Sequence, residues 1–519
     1  MNRTVSASLA GVASGALTLG VASLAAAVVS PLSDPLLALG GAFVDATPRW
    51  LKDAAVQLFG TNDKRALTVG TVLVVAALAA LAGVLAERWW ALGAGLVVVL
   101  GGVAAVAAAT RPDAGALAPL PSLLGAGAGL VALRLLLNRL DTSDAPTTPD
   151  PADEPTALPP AAGRRTFLLA AGAVTVVGVV GAVGGRVLGA SRRAVDAARD
   201  ALRLPTPTRT VSVPAGAGAA LDGTAVGGLD PWVTPNADFY RIDTALAVPQ
   251  VDPAAWSLRV HGLVEREVTL TFDELLADDL VEAWVTLACV SNEVGGDLVG
   301  NARWLGLPLR TLLARAVPRD GADMVLSTSA DGFTASTPLE VLTDDRDALL
   351  AVGMNGEPLP FVHGFPVRMV VPGLYGYVSA TKWVVDLEVT RFADATAYWT
   401  DRGWSPRGPV KTQSRIEVPR AGASVDAGRV VVAGTSWAQH RGVVGVEVRV
   451  DDGPWHQATL AADGGIDTWR QWAYAWDAEP GRHTLQVRAA DPDGPQTGKV
   501  TGTVPDGATG YDTVTVDVS

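Results

Sequence analysis

Sulfhydryl chemistry is almost absent from this chain: Cys289 is the only cysteine in 519 residues. That excludes an intrachain disulfide, a cysteine-ligated iron–sulfur cluster and a cysteine-built zinc cage, each of which needs several sulfurs. Histidine is scarce too. His261, His363, His440, His456 and His483 all fall in the second half, which argues against a bis-histidine haem in the first. Positive charge is in the minority: 40 Lys and Arg against 53 Asp and Glu give a formal charge of -13, which disfavours nucleic acid as a partner. Charge of either sign is missing from five apolar stretches, 5–29, 66–86, 89–109, 114–133 and 166–185. Each is long enough to cross a bilayer, which takes about 20 residues. Ionisable groups inside a membrane mark proton, ion or substrate pathways, so their lack here points to an anchor in the lipid bilayer and not to a pump or channel.

What is present suggests three or four domains. Residues 1–140 read as a four-helix transmembrane region. The stretch 141–163, rich in Pro, Asp and Thr, reads as a flexible linker. Arg164-Arg165-Thr166-Phe167-Leu168-Leu169 then opens a fifth membrane helix, spanning 164–190 with its flanks. Its arginine pair reads either as an internally placed twin-arginine export signal or as the cytoplasmic flank of a helix. Arg186, Arg192, Arg193 and Arg199 follow that helix, and a positive cluster on the exported side favours the export signal. The amino terminus is then cytoplasmic and 205–519 extracytoplasmic, although Lys64 and Arg65 fall outside. That route carries folded proteins, as a cofactor inserted in the cytoplasm requires.

In the exported half, 201–228 reads as a Pro-, Gly- and Ala-rich spacer. The apolar run 284–288 reads as a buried strand that delivers Cys289 to a polar, Gly-rich loop. A thiolate suits polarisable metals, although a lone cysteine is also an ordinary core residue. Strands are expected at 256–262, 268–272, 324–328, 367–371 and 383–389. Helices are expected after the Thr271/Glu274 capping box, at 310–316 and at 338–342. This is an α+β pattern. Two Gly-rich turns, 363–368 and 371–377, lead to Ser379-Ala380-Thr381-Lys382-Trp383. They let backbone approach a ligand and set Arg368 and Lys382 where a phosphate would be held.

Several motifs then occur in order: Phe239-Tyr240-Arg241, Cys289 with Asn292, Ala302-Arg303-Trp304, Met354-Asn355-Gly356-Glu357-Pro358-Leu359-Pro360, His363-Gly364-Phe365-Pro366-Val367-Arg368, Val371-Pro372-Gly373 and Lys382-Trp383. Through them residues 234–410, within a domain placed at 205–413, resemble the molybdopterin-binding domain of the sulfite oxidase superfamily. The resemblance implies a Mo-molybdopterin cofactor whose metal takes Cys289 as its thiolate ligand. It implies cofactor contacts from Phe239, Tyr240, Arg241, Ser329, His363, Arg368, Ala380, Thr381 and Lys382, and catalytic roles near the metal for Cys289, Asn292, Glu293, Trp304 and Phe333. The departures bear on substrate. Sulfite oxidases carry an arginine where Glu293 stands, a second arginine where 376–381 has none, and a tyrosine where Phe333 stands. Such changes disfavour a doubly negative ligand by on the order of several kcal/mol. They point to a neutral or cationic substrate such as a sulfoxide or an N-oxide, provided Glu293 faces the pocket instead of pairing internally with Arg303. The alternatives are a sulfite-oxidising enzyme and an inactive membrane-tethered scaffold. With no haem or cluster signature, electrons need a separate partner.

Residues 414–519 show short alternating strands, as at Val446/Val448/Val450 and Leu485/Val487/Ala489. They read as an immunoglobulin-like β-sandwich and resemble the dimerisation domain of sulfite oxidases, which implies a homodimer. Trp437, Trp455, Trp469, Trp472 and Trp476 are expected mostly in its core. The expected molecule is multi-domain: an all-α transmembrane bundle, an α+β molybdopterin-binding domain and this sandwich.

Overall fold

The computed structural model describes residues 2–30, 33–47, 63–110, 115–143, 161–188, 190–245 and 247–519. It divides into two compact units: Met1–Ala194 with Ala245–Ala247, and Val195–Thr244 with Val248–Ser519. Linker residues 144–160 lie outside the described residues, as do the side chains of Lys64, Arg65, Arg164, Arg186, Arg192 and Arg193.

In the first unit, five helices are long and apolar enough to cross a membrane: Arg3–Val29, Ala66–Arg88, Trp90–Ala109, Leu120–Leu140 and Arg165–Gly185. Small residues bring them close. A Cβ on Gly11 would stand 2.1 Å from the Ala79 carbonyl oxygen, and one on Gly20 2.2 Å from that of Gly178. Two features depart from the sequence reading. A twelve-residue helix, Pro35–Ala46, was not anticipated. The fourth apolar helix begins at Leu120 and continues to Ser143, because Pro119 and Pro121 suit a first turn better than a helix interior. It therefore carries Arg134, so this span is not uncharged. The Arg134 guanidinium lies 4.8 Å from the Trp90 ring centroid, which spreads its charge over an aromatic face.

The second unit opens on two sheets. One is antiparallel, in the order Glu357–Pro358, Leu349–Met354, Val299–Pro308, Val281–Ala288, with Arg368–Val370 also paired to Leu349–Met354. The other runs Val268–Thr271, Ser257–Gly262, Val384–Thr390, Met324–Ser329, Thr334–Pro338. Its only parallel pair joins Ser257–Gly262 to Val384–Thr390. The Thr271/Glu274 capping box forms as read, opening the helix Phe272–Leu276. Val299–Pro308 and Leu349–Met354 escaped the sequence reading because they are buried almost throughout. Period-two alternation appears only where one face of a sheet meets water.

Residues 201–228 are not a free spacer. The Thr208 amide donates to the Leu280 carbonyl (2.8 Å), and the Ala219 amide to Gln471 Oε1 (2.9 Å). A small hairpin, Ala220–Leu221 with Thr224–Ala225, follows the second of these contacts directly. The C-terminal region is sheet-rich: four strands around the Gly428–Trp437/Arg470–Ala478 pair, and six around Gly481–Asp491. Trp472 and Trp476 fill the core between these sheets. Trp437 and Trp469 instead join the core of the preceding sheets, and Trp455 is only partly buried.

Candidate active site

Cys289 directly follows the strand Val281–Ala288, whose position is set by residues far along the chain. The Thr286 amide donates to the Asp467 carbonyl (2.9 Å), while Thr286 Oγ1 receives the Trp469 amide (2.8 Å) and donates to Asn301 Oδ1 (3.0 Å). After the strand the chain turns tightly. The Asn292 amide reaches the Cys289 carbonyl (3.1 Å), Asn292 Oδ1 accepts from the Leu298 amide (2.9 Å), and Arg415 Nη1 holds the Gly296 carbonyl (3.0 Å). Cys289 is 8% exposed. The Ser291 amide donates to its sulfur at 3.4 Å. Burial nevertheless pushes the thiol up, so a thiolate here calls for a cation against it.

That sulfur opens into a cavity of about 890 Å³, mouth included, a size suited to a small organic ligand. Phe239 and Tyr240 stack with ring centroids 5.2 Å apart on one wall, and Phe239 meets the His363 ring edge-on at 5.5 Å. His363 Nε2 donates to the Asn236 carbonyl (3.1 Å). Burial first, and then the Arg368 charge, push its pKa down to about 4, so the ring is neutral near pH 7.

Arg368 is 5% exposed. It donates to the carbonyls of His363 (3.1 Å), Met369 (3.3 Å) and Ala380 (3.5 Å) and lies over the Trp304 ring at 5.0 Å. Among the described residues no carboxylate pairs with it, and burial brings its pKa down to about 10. The Lys382 side chain is 10% exposed, and its Nζ meets Asp243 Oδ2 at 2.6 Å. Burial lowers its pKa to about 8 against the pull of that carboxylate. Ser329, Phe333 and Ala380 complete the predicted residues that line this space.

Five predicted residues do not line it. Arg241 bonds Asp243 (2.8 Å) and so reaches the site through that carboxylate. Thr381 is fully buried with its hydroxyl 2.7 Å from Ser327 Oγ; alternation along extended chain turns it away from the wall that Ala380 and Lys382 form. Trp304 is wholly buried behind Arg368, its Nε1 donating to the Val285 carbonyl (3.1 Å). Asn292 shapes the loop, as above. Glu293 is exposed and does not line the cavity, because the turn at Asn292 carries it outward. Nor does it pair with Arg303, which bonds Glu282 (3.4 Å). Glu293 therefore adds no negative charge to the cavity wall. Conversely, Tyr377, Trp399, Trp404 and Asp331 do line the cavity. The sequence signal for the three aromatics was a cluster of rings in a polar loop, 392–404, and a tyrosine in the Gly-rich turn, while Asp331 carried none.

Residues 245–399 match the family model for the oxidoreductase molybdopterin binding domain. Mouse mitochondrial sulfite oxidase is 33% identical over 290 residues, 47% of this chain and 52% of that one. The uncharacterized oxidoreductase YuiH of Bacillus subtilis is 32% identical over 157 residues, 30% of this chain and 76% of that one. The chain belongs to the sulfite oxidase superfamily of molybdopterin oxidoreductases. It spans about half the length of the sulfite oxidases it matches. The sulfane dehydrogenase SoxCD of Paracoccus pantotrophus is 24% identical, at a TM-score of 0.45 over 52% of this chain and 75% of that one. The cofactor of this superfamily member is Mo-molybdopterin, and its residues fit such a group. A buried guanidinium with no carboxylate against it among the described residues suits an anionic ligand, and a thiol on the wall of the same cavity suits a polarisable metal.

Proposed function

We propose that the chain is a membrane-anchored, extracytoplasmic oxidoreductase that moves an oxygen atom to or from a neutral or cationic small molecule. The observation that carries this reading is that Cys289 and the uncompensated Arg368 share one cavity. When bound, the cofactor supplies the two-electron redox chemistry. Cys289 would ligate its metal, and Arg368 and Lys382 would hold its anionic end. The Tyr240 phenol, pushed well up by burial and by the Cys289 charge, stays protonated and available as a donor. In the reducing direction the substrate oxide takes two electrons and two protons and leaves as the deoxygenated compound and water. A separate protein supplies the electrons.

The substrate charge follows from what lines the cavity. Arg368 and Lys382 are its only lysine or arginine among the described residues, and Lys382 is held by Asp243, a carboxylate it shares with Arg241. A dianion such as sulfite finds no further clamp there, while Asp331 repels it. The five apolar helices and the arginine pair before the last of them support anchoring with the second half outside. In the same reading the sheet-rich region 414–519 is an immunoglobulin-type sandwich through which two copies pair.

Metal analysis of the purified protein tests the core of this proposal. Molybdenum near one atom per chain in the wild type, reduced in Cys289→Ser, supports it. Equal and negligible molybdenum in both proteins overturns it.

A further inference from the structure

The wall of the Cys289 cavity carries part of a continuous run of aromatic rings. Phe333 meets Tyr398 at 5.8 Å between centroids, Tyr398 meets Trp399 at 5.1 Å, Trp399 meets Trp404 at 6.2 Å, and Trp404 meets Tyr377 at 5.8 Å. Four of these, Phe333, Trp399, Trp404 and Tyr377, line the cavity. The fifth shows what such a ring accepts: the Arg402 guanidinium lies 3.6 Å from the Tyr398 centroid. Beside the arc, Asp331 also lines the cavity, with Oδ1 receiving the Phe333 amide at 3.2 Å. No lysine, arginine or histidine pairs with Asp331 among the described residues. The cavity's two cations are engaged elsewhere. Lys382 is bound by Asp243, and Arg368 faces backbone carbonyls and Trp304. None of the five arc residues is among their partners.

Aromatic faces present negative potential, and several of them around one space bind methylated cations that water hydrates poorly. A nearby carboxylate adds a charge that a purely apolar pocket lacks. The geometry points to an onium subsite on this wall: Phe333, Trp399, Trp404, Tyr377 and Asp331 receive the trimethylammonium or dimethylsulfonium group of a small ligand. This rests on the proposed function only in taking the cavity as the way to Cys289; it needs no metal in place.

The test is a titration of the whole chain, in a detergent without quaternary ammonium, with choline and with its neutral carbon isostere 3,3-dimethylbutan-1-ol. Choline is expected to bind more tightly than the alcohol. Asp331→Asn and Trp404→Leu should each weaken choline by about 3- to 30-fold while changing the alcohol little. Equal binding of the two compounds overturns the inference, since it describes an apolar pocket only. So does undetectable choline binding at millimolar concentration, or choline binding that both variants leave unchanged. Molybdenum content measured on the same samples separates this failure from failure of the cofactor reading, and Trp404→Phe, which keeps a ring, should retain most of the choline affinity if Trp404→Leu proves unstable.

Discussion

His363 is held neutral by its surroundings, and this has a definite consequence for pH. Its folded pKa is about 4 against an ordinary 6.5. Between those values the unfolded chain takes up a proton that the folded chain refuses, so stability falls as pH drops from 6.5 towards 4. The loss amounts to about 3 kcal/mol by the low end of the window. In cofactor-free protein, His363→Gln should flatten that dependence, as read from denaturant midpoints at pH 7 and pH 4.5. Lys382 acts at the other end of the scale: with a folded pKa of about 8 against 10.5, stability rises with pH between those values. At this scale the sequence was informative wherever a motif fixed both the residue type and the direction of its side chain. Cys289, Phe239, Tyr240, His363, Arg368 and Lys382 all face one cavity. It misled where direction depended on a single turn or on alternation. Thr381 has Ala380 and Lys382 on the cavity wall to either side, yet a one-residue step in extended chain turns its side chain to the opposite face, and the turn after Ser291 carries Glu293 outward.

Among the elements, the strand Val281–Ala288 shows how a site is held without touching it. Thr286 gives and receives hydrogen bonds to Asn301 and Trp469 while fully enclosed. Thr286→Val keeps the shape and removes both bonds. The prediction is a loss of about 1–3 kcal/mol for each group left unsatisfied, measured by chemical denaturation, with Cys289 becoming more accessible to a thiol reagent. None of this was legible beforehand, because hydrogen bonds across so long a stretch of chain leave no local pattern. Val299–Pro308 and Leu349–Met354 were missed for a related reason: buried almost throughout, they show no sustained alternation of apolar and polar residues. The capping box at Thr271, by contrast, is a contact between residues three apart and was visible directly.

Over the whole molecule, the sequence separated an apolar first part from a polar second one, and the two compact units meet at Ala194 and Val195 in chain order. It did not anticipate Arg134 in a candidate span, since Pro119 and Pro121 shift the helix towards later residues. Sidedness is open to a direct experiment. Arg164→Lys with Arg165→Lys preserves charge, so a purely electrostatic orientation would survive it. Dependence on the export signal predicts that 205–519 becomes protected from protease added outside the cell. Continued cleavage would set that signal aside. One consequence of the hydrogen bonds at Thr286 concerns time. The helices of the first unit leave the ribosome long before Cys289, but the strand before Cys289 gains its full set of partners only after Trp469 has been made. The site is therefore finished late, by nearly the last part of the chain to be synthesised. A partly made chain already holds all five long apolar helices while it still lacks the finished seat for its metal.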